Sequence, residues 1–141
     1  MNCTIVVRFV DTNILLYAIS TASDEALKRE IARRLLDSAD VALSVQVLQE
    51  FFVQATRQTR ADALTSAQAS ALIEAWLRFP VQETTVPLMQ AAIDGAGRFR
   101  VSYWDAAIIE AARTLECSTV LSEDLSHGRD FHGVRVENPF R

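Results

Sequence analysis

The feature that most constrains this chain is its opening run, Thr4 to Val10, which reads T-I-V-V-R-F-V and ends at Asp11. A continuous β-branched stretch without polar alternation suits a strand covered on both faces of a parallel sheet. Parallel strands need crossovers, and the rest of the chain supplies them. Asn13 to Ile19 reads as a short helix. Ser23 is placed to cap a helix from Asp24 to about Ser38, with Leu27, Ile31, Leu35 and Leu36 on one face. Val41 to Val45 reads as a second strand. A helix from Gln46 to about Thr59 then turns Val47, Leu48, Phe51, Phe52 and Ala55 inward. Thr65 caps a helix ending near Pro80, and Val81 to Thr84 is a short strand. Pro87 suits the first turn of a helix that stops at Gly95 or Gly97. Ser102 caps a helix from Tyr103 to Glu116, and Thr119 to Ser122 and Val134 to Glu137 close the series as strands.

This alternation predicts an α/β fold, a three-layer α/β/α sandwich around a central parallel sheet of four to five strands. With 141 residues, half of them hydrophobic, the chain suits a single domain over 1–141. No linker, repeat or low-complexity tract divides it. The composition excludes disordered, collagen-like, coiled-coil and disulfide-scaffold proteins. The longest apolar candidate, Ile14 to Ile19, is far short of a membrane span. The N-terminus lacks the charged start and cleavage pattern of a signal peptide, so a soluble cytoplasmic protein is expected. Cys3 and Cys117 show no metal-binding spacing and read as buried reduced thiols.

Fourteen basic residues face 18 acids, for a net charge of −4. Only Lys28 of the basics is a lysine. A net negative chain is a poor generic binder of nucleic acid, because such binding rests on neutralising phosphates. Any nucleic-acid role therefore needs something to offset the acids.

In a parallel α/β sheet, ligands sit outside the carboxyl ends of the strands at a topological switch. Four acids are expected at that edge. Asp11 and Asp124 follow strands, while Glu50 and Asp105 lie near helix starts. Each has an ordinary explanation when taken alone. Asp11 suits a helix cap, Glu50 a solvated stripe with Gln46, Gln54 and Arg57, and Asp105 a capping box with Ser102. Asp124 suits an ordinary loop acid, with Glu123 competing for its role. Together, four converging carboxylates repel one another unless a cation is bound, and hard oxygen ligands select Mg²⁺ or Mn²⁺. Zinc is disfavoured, because His127 and His132 lack paired ligand spacing.

Four short motifs now stand in order. They are Asp-Thr-Asn-Ile-Leu-Leu-Tyr at 11–17, Ser-Val-Gln-Val-Leu-Gln-Glu-Phe at 44–51, Ser-Tyr-Trp-Asp-Ala-Ala-Ile-Ile at 102–109 and Leu-Ser-Glu-Asp-Leu-Ser-His-Gly at 121–128. With the ending Asn-Pro-Phe at 138–140, this series resembles PIN-domain nucleases, and within them the VapC-type toxins paired with an antitoxin. The resemblance covers essentially the whole chain. It implies a PIN-like fold and makes Asp11, Glu50, Asp105 and Asp124 the metal-binding catalytic acids, with Asn13 and Ser122 beside them. Glu123 matches a more variable position.

The resemblance also implies one or two Mg²⁺ or Mn²⁺ ions per site and endonucleolytic cleavage of RNA, leaving 5′-phosphate and 3′-hydroxyl ends. A homodimer and an antitoxin whose tail blocks the acidic site are implied as well. Arg98 and Arg100, with Arg57 and Arg60 at the end of the helix carrying Glu50, are candidates for contacting substrate phosphates, and His127 and Arg129 for lining the site. Phe99, Tyr103 and Trp104 are available for stacking, although Trp104 reads as a core residue. One alternative is a PIN-like domain that binds RNA or a partner without cutting. Another is an aspartyl-phosphate or receiver domain, which is opposed by the missing Asp-x-Asp pattern and the absence of a late lysine.

Overall fold

A computed structural model describes residues 7–141. Its order is β1 (Arg8–Val10), α1 (Thr12–Ala18), a 3₁₀ turn (Ser23–Glu25), α2 (Ala26–Asp37), β2 (Val41–Ser44) and α3 (Val45–Ala55). Then follow α4 (Ser66–Trp76), β3 (Val81–Gln82), α5 (Val86–Phe99), α6 (Tyr103–Thr114), β4 (Thr119–Leu121) and β5 (Arg135–Glu137). The sheet has five strands in the order β3-β2-β1-β4-β5, and every pairing is parallel. The expected α/β sandwich is therefore present. The first part of the opening run, residues 4–6, and Cys3 lie outside the described residues.

The crossovers from β1 to β2 and from β2 to β3 move outward in one direction. The return from β3 to β4 runs the other way. Right-handed connections place α1–α4 on one face and α5 and α6 on the other. The two directions part between β1 and β4, which makes that boundary the switch point. Phe9, Val10, Val41, Leu43, Val120 and Val136 are fully buried along the sheet, with Ile14, Leu15, Phe51 and Ile109 packed over them. Phe51 meets Trp76 edge to face at 4.8 Å.

Several sequence expectations differ from the structure in detail. Ser23 opens only a 3₁₀ turn, and α2 begins at Ala26 without a side-chain cap. Leu27 is 70% exposed, because the face of α2 turned inward is built from Ala32 and Leu36. Neither Gly95 nor Gly97 stops α5. The helix runs on to Phe99 and ends where Arg100 adopts the left-handed conformation, φ 55° and ψ 51°. Trp104 is not a core residue: it is 63% exposed, with its ring against Tyr103. Cys117 is buried as expected, and burial pushes its thiol up to about 11, leaving it unreactive.

Candidate active site

Asp11 leaves the end of β1 and caps α1, its carboxylate accepting from Thr12 N at 2.8 Å. One turn of chain therefore satisfies a helix terminus and fixes an acid at the switch point. Ser122, directly after β4, donates from Oγ to the other Asp11 oxygen at 2.7 Å. The same Ser122 Oγ accepts from the Asp124 and Leu125 amides at 3.1 and 3.2 Å. This fully buried hydroxyl thus orients both the acid on β1 and the loop after β4.

Asn13 completes the bridge. Its Nδ2 donates to Asp124 Oδ2 at 3.1 Å and to Ser122 Oγ at 3.3 Å, while its Oδ1 accepts from Glu123 N at 3.2 Å. On the other side, Thr12 Oγ1 donates to Glu50 Oε1 at 2.9 Å, which ties α3 to α1. Asp11, Asn13, Glu50, Ser122 and Asp124 are therefore joined by hydrogen bonds through Thr12. The Asp-Thr-Asn motif carries Thr12 in its middle, which is the signal that could have marked this linking residue.

Asp105 stands apart from this network. Ser102 Oγ accepts from its backbone amide at 3.1 Å, the first half of a capping box. The first turn of α6 is held beside α3 by Gln46, whose Nε2 donates to Trp104 O at 3.3 Å. Asp105 follows Trp104, and Glu50 lies one turn beyond Gln46, so the Gln46–Trp104 bond brings the start of α6 beside the helix that carries Glu50. Among the described residues, no three acids close into a ready-made cation cluster.

Asp11 is 9% exposed. Burial, together with the charges of Glu50 and Asp124, pushes its pKa up to about 6 against the hydrogen bonds from Ser122 and Thr12. Glu123 faces away from this pressure. Burial alone would raise its pKa, but the Lys28 ammonium and the Tyr17 hydroxyl both bond its carboxylate and hold it low. The chain's single lysine is thereby committed to Glu123, and it also lies over the Tyr17 and Phe140 rings. Neither Lys28 nor Tyr17 was marked by any motif for this pairing.

The basic candidates are dispersed. Arg57 lines a hollow of about 350 Å³ with Glu50, Gln54 and Trp104. Arg98 is bonded to His132 Nδ1 at 3.0 Å and lines a separate hollow with Glu110 and Arg113, along the body of α6. Arg100 is exposed at the end of α5. His127 accepts from Asn138 N at 3.0 Å through Nδ1, and Arg129 donates to Phe99 O.

A buried aspartate thus stands at the sheet switch, with Glu50 and Asp124 held beside it through Thr12 and Asn13. Comparison with known proteins places the chain in a family. The PIN domain family matches residues 8–129, and the chain belongs to it. No curated protein matches it in sequence. Among solved structures, the chain is similar to VapC20 of Mycobacterium tuberculosis, a Sarcin-Ricin loop cleaving toxin, with TM-score 0.65 and 22% identity over 83% of this chain and 91% of that one. A toxin-antitoxin complex from Klebsiella pneumoniae gives TM-score 0.67 at 18% identity, over 94% and 97%. DNA-bound VapBC from Salmonella typhimurium gives TM-score 0.65 at 18% identity, over 95% and 98%. The fold is thus that of VapC-type PIN proteins.

Proposed function

We propose that this PIN domain is a Mg²⁺- or Mn²⁺-dependent endoribonuclease and the toxin of a bacterial toxin–antitoxin pair. The observation that carries the reading is Asp11. It is an almost fully buried carboxylate whose pKa is pushed up to about 6 by burial and, to a lesser degree, by the charges of Glu50 and Asp124. The donors around it are oxygens, which suit a hard divalent cation. Asp11, Glu50, Asp105 and Asp124 would hold it, with Asp105 reaching in from α6.

A divalent cation in such a site supplies Lewis acidity toward a phosphodiester and toward water. The chain's own residues supply the frame. Ser122 and Thr12 fix the two oxygens of Asp11, Asn13 spans Asp11 and Asp124, and Thr12 steadies Glu50. An ionised carboxylate at this edge can accept the proton of an attacking water as the P–O bond breaks. No serine or histidine nucleophile is needed.

The toxin role is supported by the toxin and toxin–antitoxin structures that share the fold. A homodimer is supported by the exposed apolar stripe Val86, Met89 and Ile93 on α5, near exposed Trp104 and Val53. No helix among the described residues is long and apolar enough to cross a membrane.

The deciding experiment is cleavage of RNA by the purified protein with Mn²⁺, with EDTA, and with Asp11→Asn. Cleavage is expected only in wild type with metal, and expression of wild type but not Asp11→Asn should arrest bacterial growth. Full activity in Asp11→Asn, or activity that survives EDTA, overturns the proposal.

A further inference from the structure

We propose that Arg60 grips the phosphate backbone of the substrate beside the acidic edge, an assignment that rests on the ribonuclease reading above. Arg60 lies in the turn between α3 and α4. Its side chain lines a cleft of about 240 Å³ that is also walled by Thr12, Asn13, Tyr17, Gln54 and Asp124. Among the described residues it is the one lysine or arginine on that wall, which also carries the carboxylates Glu25 and Glu123.

Of the other cations nearby, Arg57 faces a separate hollow with Glu50 and Trp104, and the rest are already committed. Lys28 is paired with Glu123. Arg29 donates to Ser20 O and Arg33 to Ala18 O, both at 2.8 Å, which satisfies carbonyls at and beyond the end of α1. Arg60 is held differently. Its Nε lies 2.6 Å from Asp62 Oδ1, yet it is buried without an aligned hydrogen-bond acceptor. The second Asp62 oxygen accepts from Thr21 N and Thr21 Oγ1 at 3.0 and 3.1 Å, which fastens the turn to the segment after α1. Asp62 therefore anchors one edge of the guanidinium. Among the described residues none accepts a hydrogen bond from its remaining donors, and the side chain lines the cleft.

A guanidinium fork matches two phosphate oxygens, and pre-orienting it reduces the entropy lost on binding. The need for such a group follows from charge. A polyanion approaching a chain of net charge −4 at its acid-rich edge requires a local cation outside the metal ligands. Because the contact is to phosphate and not to a base, it positions RNA without reading sequence. Arg60 therefore contributes to affinity and leaves the chemical step to the acids.

The test compares Arg60→Gln and Arg60→Lys with wild type. Binding of a fluorescently labelled, random-sequence single-stranded RNA pool is measured in the uncut Asp11→Asn background. KM and kcat for the same pool are measured with Mn²⁺ in the active protein. Arg60→Gln should raise Kd and KM about tenfold, the factor that 1.4 kcal/mol represents, with kcat nearly unchanged. It should also flatten the slope of log K against log salt by about 0.7, one single-strand phosphate contact. Arg60→Lys should recover much of the affinity with the same melting temperature as Arg60→Gln.

Unchanged Kd and salt slope overturn the assignment. So does a fall in kcat at constant KM, or an affinity loss in both variants that tracks a lowered melting temperature and marks the Arg60–Asp62 pair as purely structural. A wild type that binds RNA but never cuts it refutes the nuclease reading, and the binding arm still decides Arg60. A wild type that binds no RNA overturns both.

Discussion

At the scale of single residues, Asp11 carries two demands that conflict. Its carboxylate caps α1 and accepts from Ser122, which favours the ionised form. Its burial beside Glu50 and Asp124 opposes ionisation more strongly, so the folded-state pKa of about 6 exceeds the ordinary value of 3.8. A group with a raised folded pKa binds its proton more tightly in the native state, so stability falls as pH rises through the window between those values. The metal-free protein should therefore lose stability between about pH 4 and pH 6, by up to about 3 kcal/mol at 1.36 kcal/mol per pKa unit. Asp11→Asn keeps an acceptor of the same shape and removes the titration. Urea denaturation in EDTA should show the variant more stable than wild type above pH 6 and nearly equal at pH 4. Equal stability at both pH values would mean that Asp11 is not under the strain described. Asp11 was legible in the sequence because a buried strand ended on it within Asp-Thr-Asn. The opposing roles of Glu123 and Asp124 were not, since adjacent acids in one loop give no pattern that tells which turns toward Lys28.

At the scale of elements, the helix pair α5–α6 shows where local rules reach their limit. Glycine after a helical pattern usually marks a left-handed stop, which predicts an end at Gly95 or Gly97. The left-handed residue is instead Arg100, and both glycines are inside α5. At buried Gly95 a Cβ would stand 3.7 Å from Ala106, Glu110 and Phe99, an ordinary contact distance, so the packing against α6 admits alanine there. Exposed Gly97 has nothing within 4 Å of where a Cβ would stand. Local preference is thus inverted at two positions three residues apart, and each can be corrected. Gly97→Ala should stabilise the protein by about 0.5–1 kcal/mol through helix propensity. Arg100→Gly should stabilise it by about 1 kcal/mol by relieving the left-handed backbone. Denaturant midpoints should rise for both with unchanged slope. A lowered midpoint for Arg100→Gly would show that its side chain makes stabilising contacts worth more than the backbone strain. By contrast, Thr65, Thr85 and Ser102 cap the helices that follow them, because a cap needs only its own third residue and no tertiary partner.

At the scale of the whole molecule, the net charge of −4 takes its meaning from topology. Crossovers that diverge on either side of β1 and β4 leave a crevice at the carboxyl edge. Asp11 and Asp124 enter it from strand ends and Glu50 from α3, while Asp105 stands on the first turn of α6. The approach of Asp11, Glu50 and Asp124 to one edge was readable from the order of elements, whereas the expected approach of Asp105 depends on how α6 sits against α3, which no local pattern encodes. A cation bound there would join segments distant in sequence across the sheet edge, so it should stabilise the fold as a whole. Ligand linkage gives about 2.7 kcal/mol when free metal is one hundred times its dissociation constant. Mn²⁺ should accordingly raise the melting temperature of wild type, and EDTA should reverse the shift. Because a protonated carboxylate is a poor ligand, the gain should be small at pH 4 and full above pH 6. Asp105→Asn discriminates between three acids and four. If Asp105 closes onto the ion from α6, this variant should lose much of the Mn²⁺-induced shift while its metal-free melting temperature stays near that of wild type. An undiminished shift would confine the site to Asp11, Glu50 and Asp124 and leave Asp105 as a cap-position acid of α6.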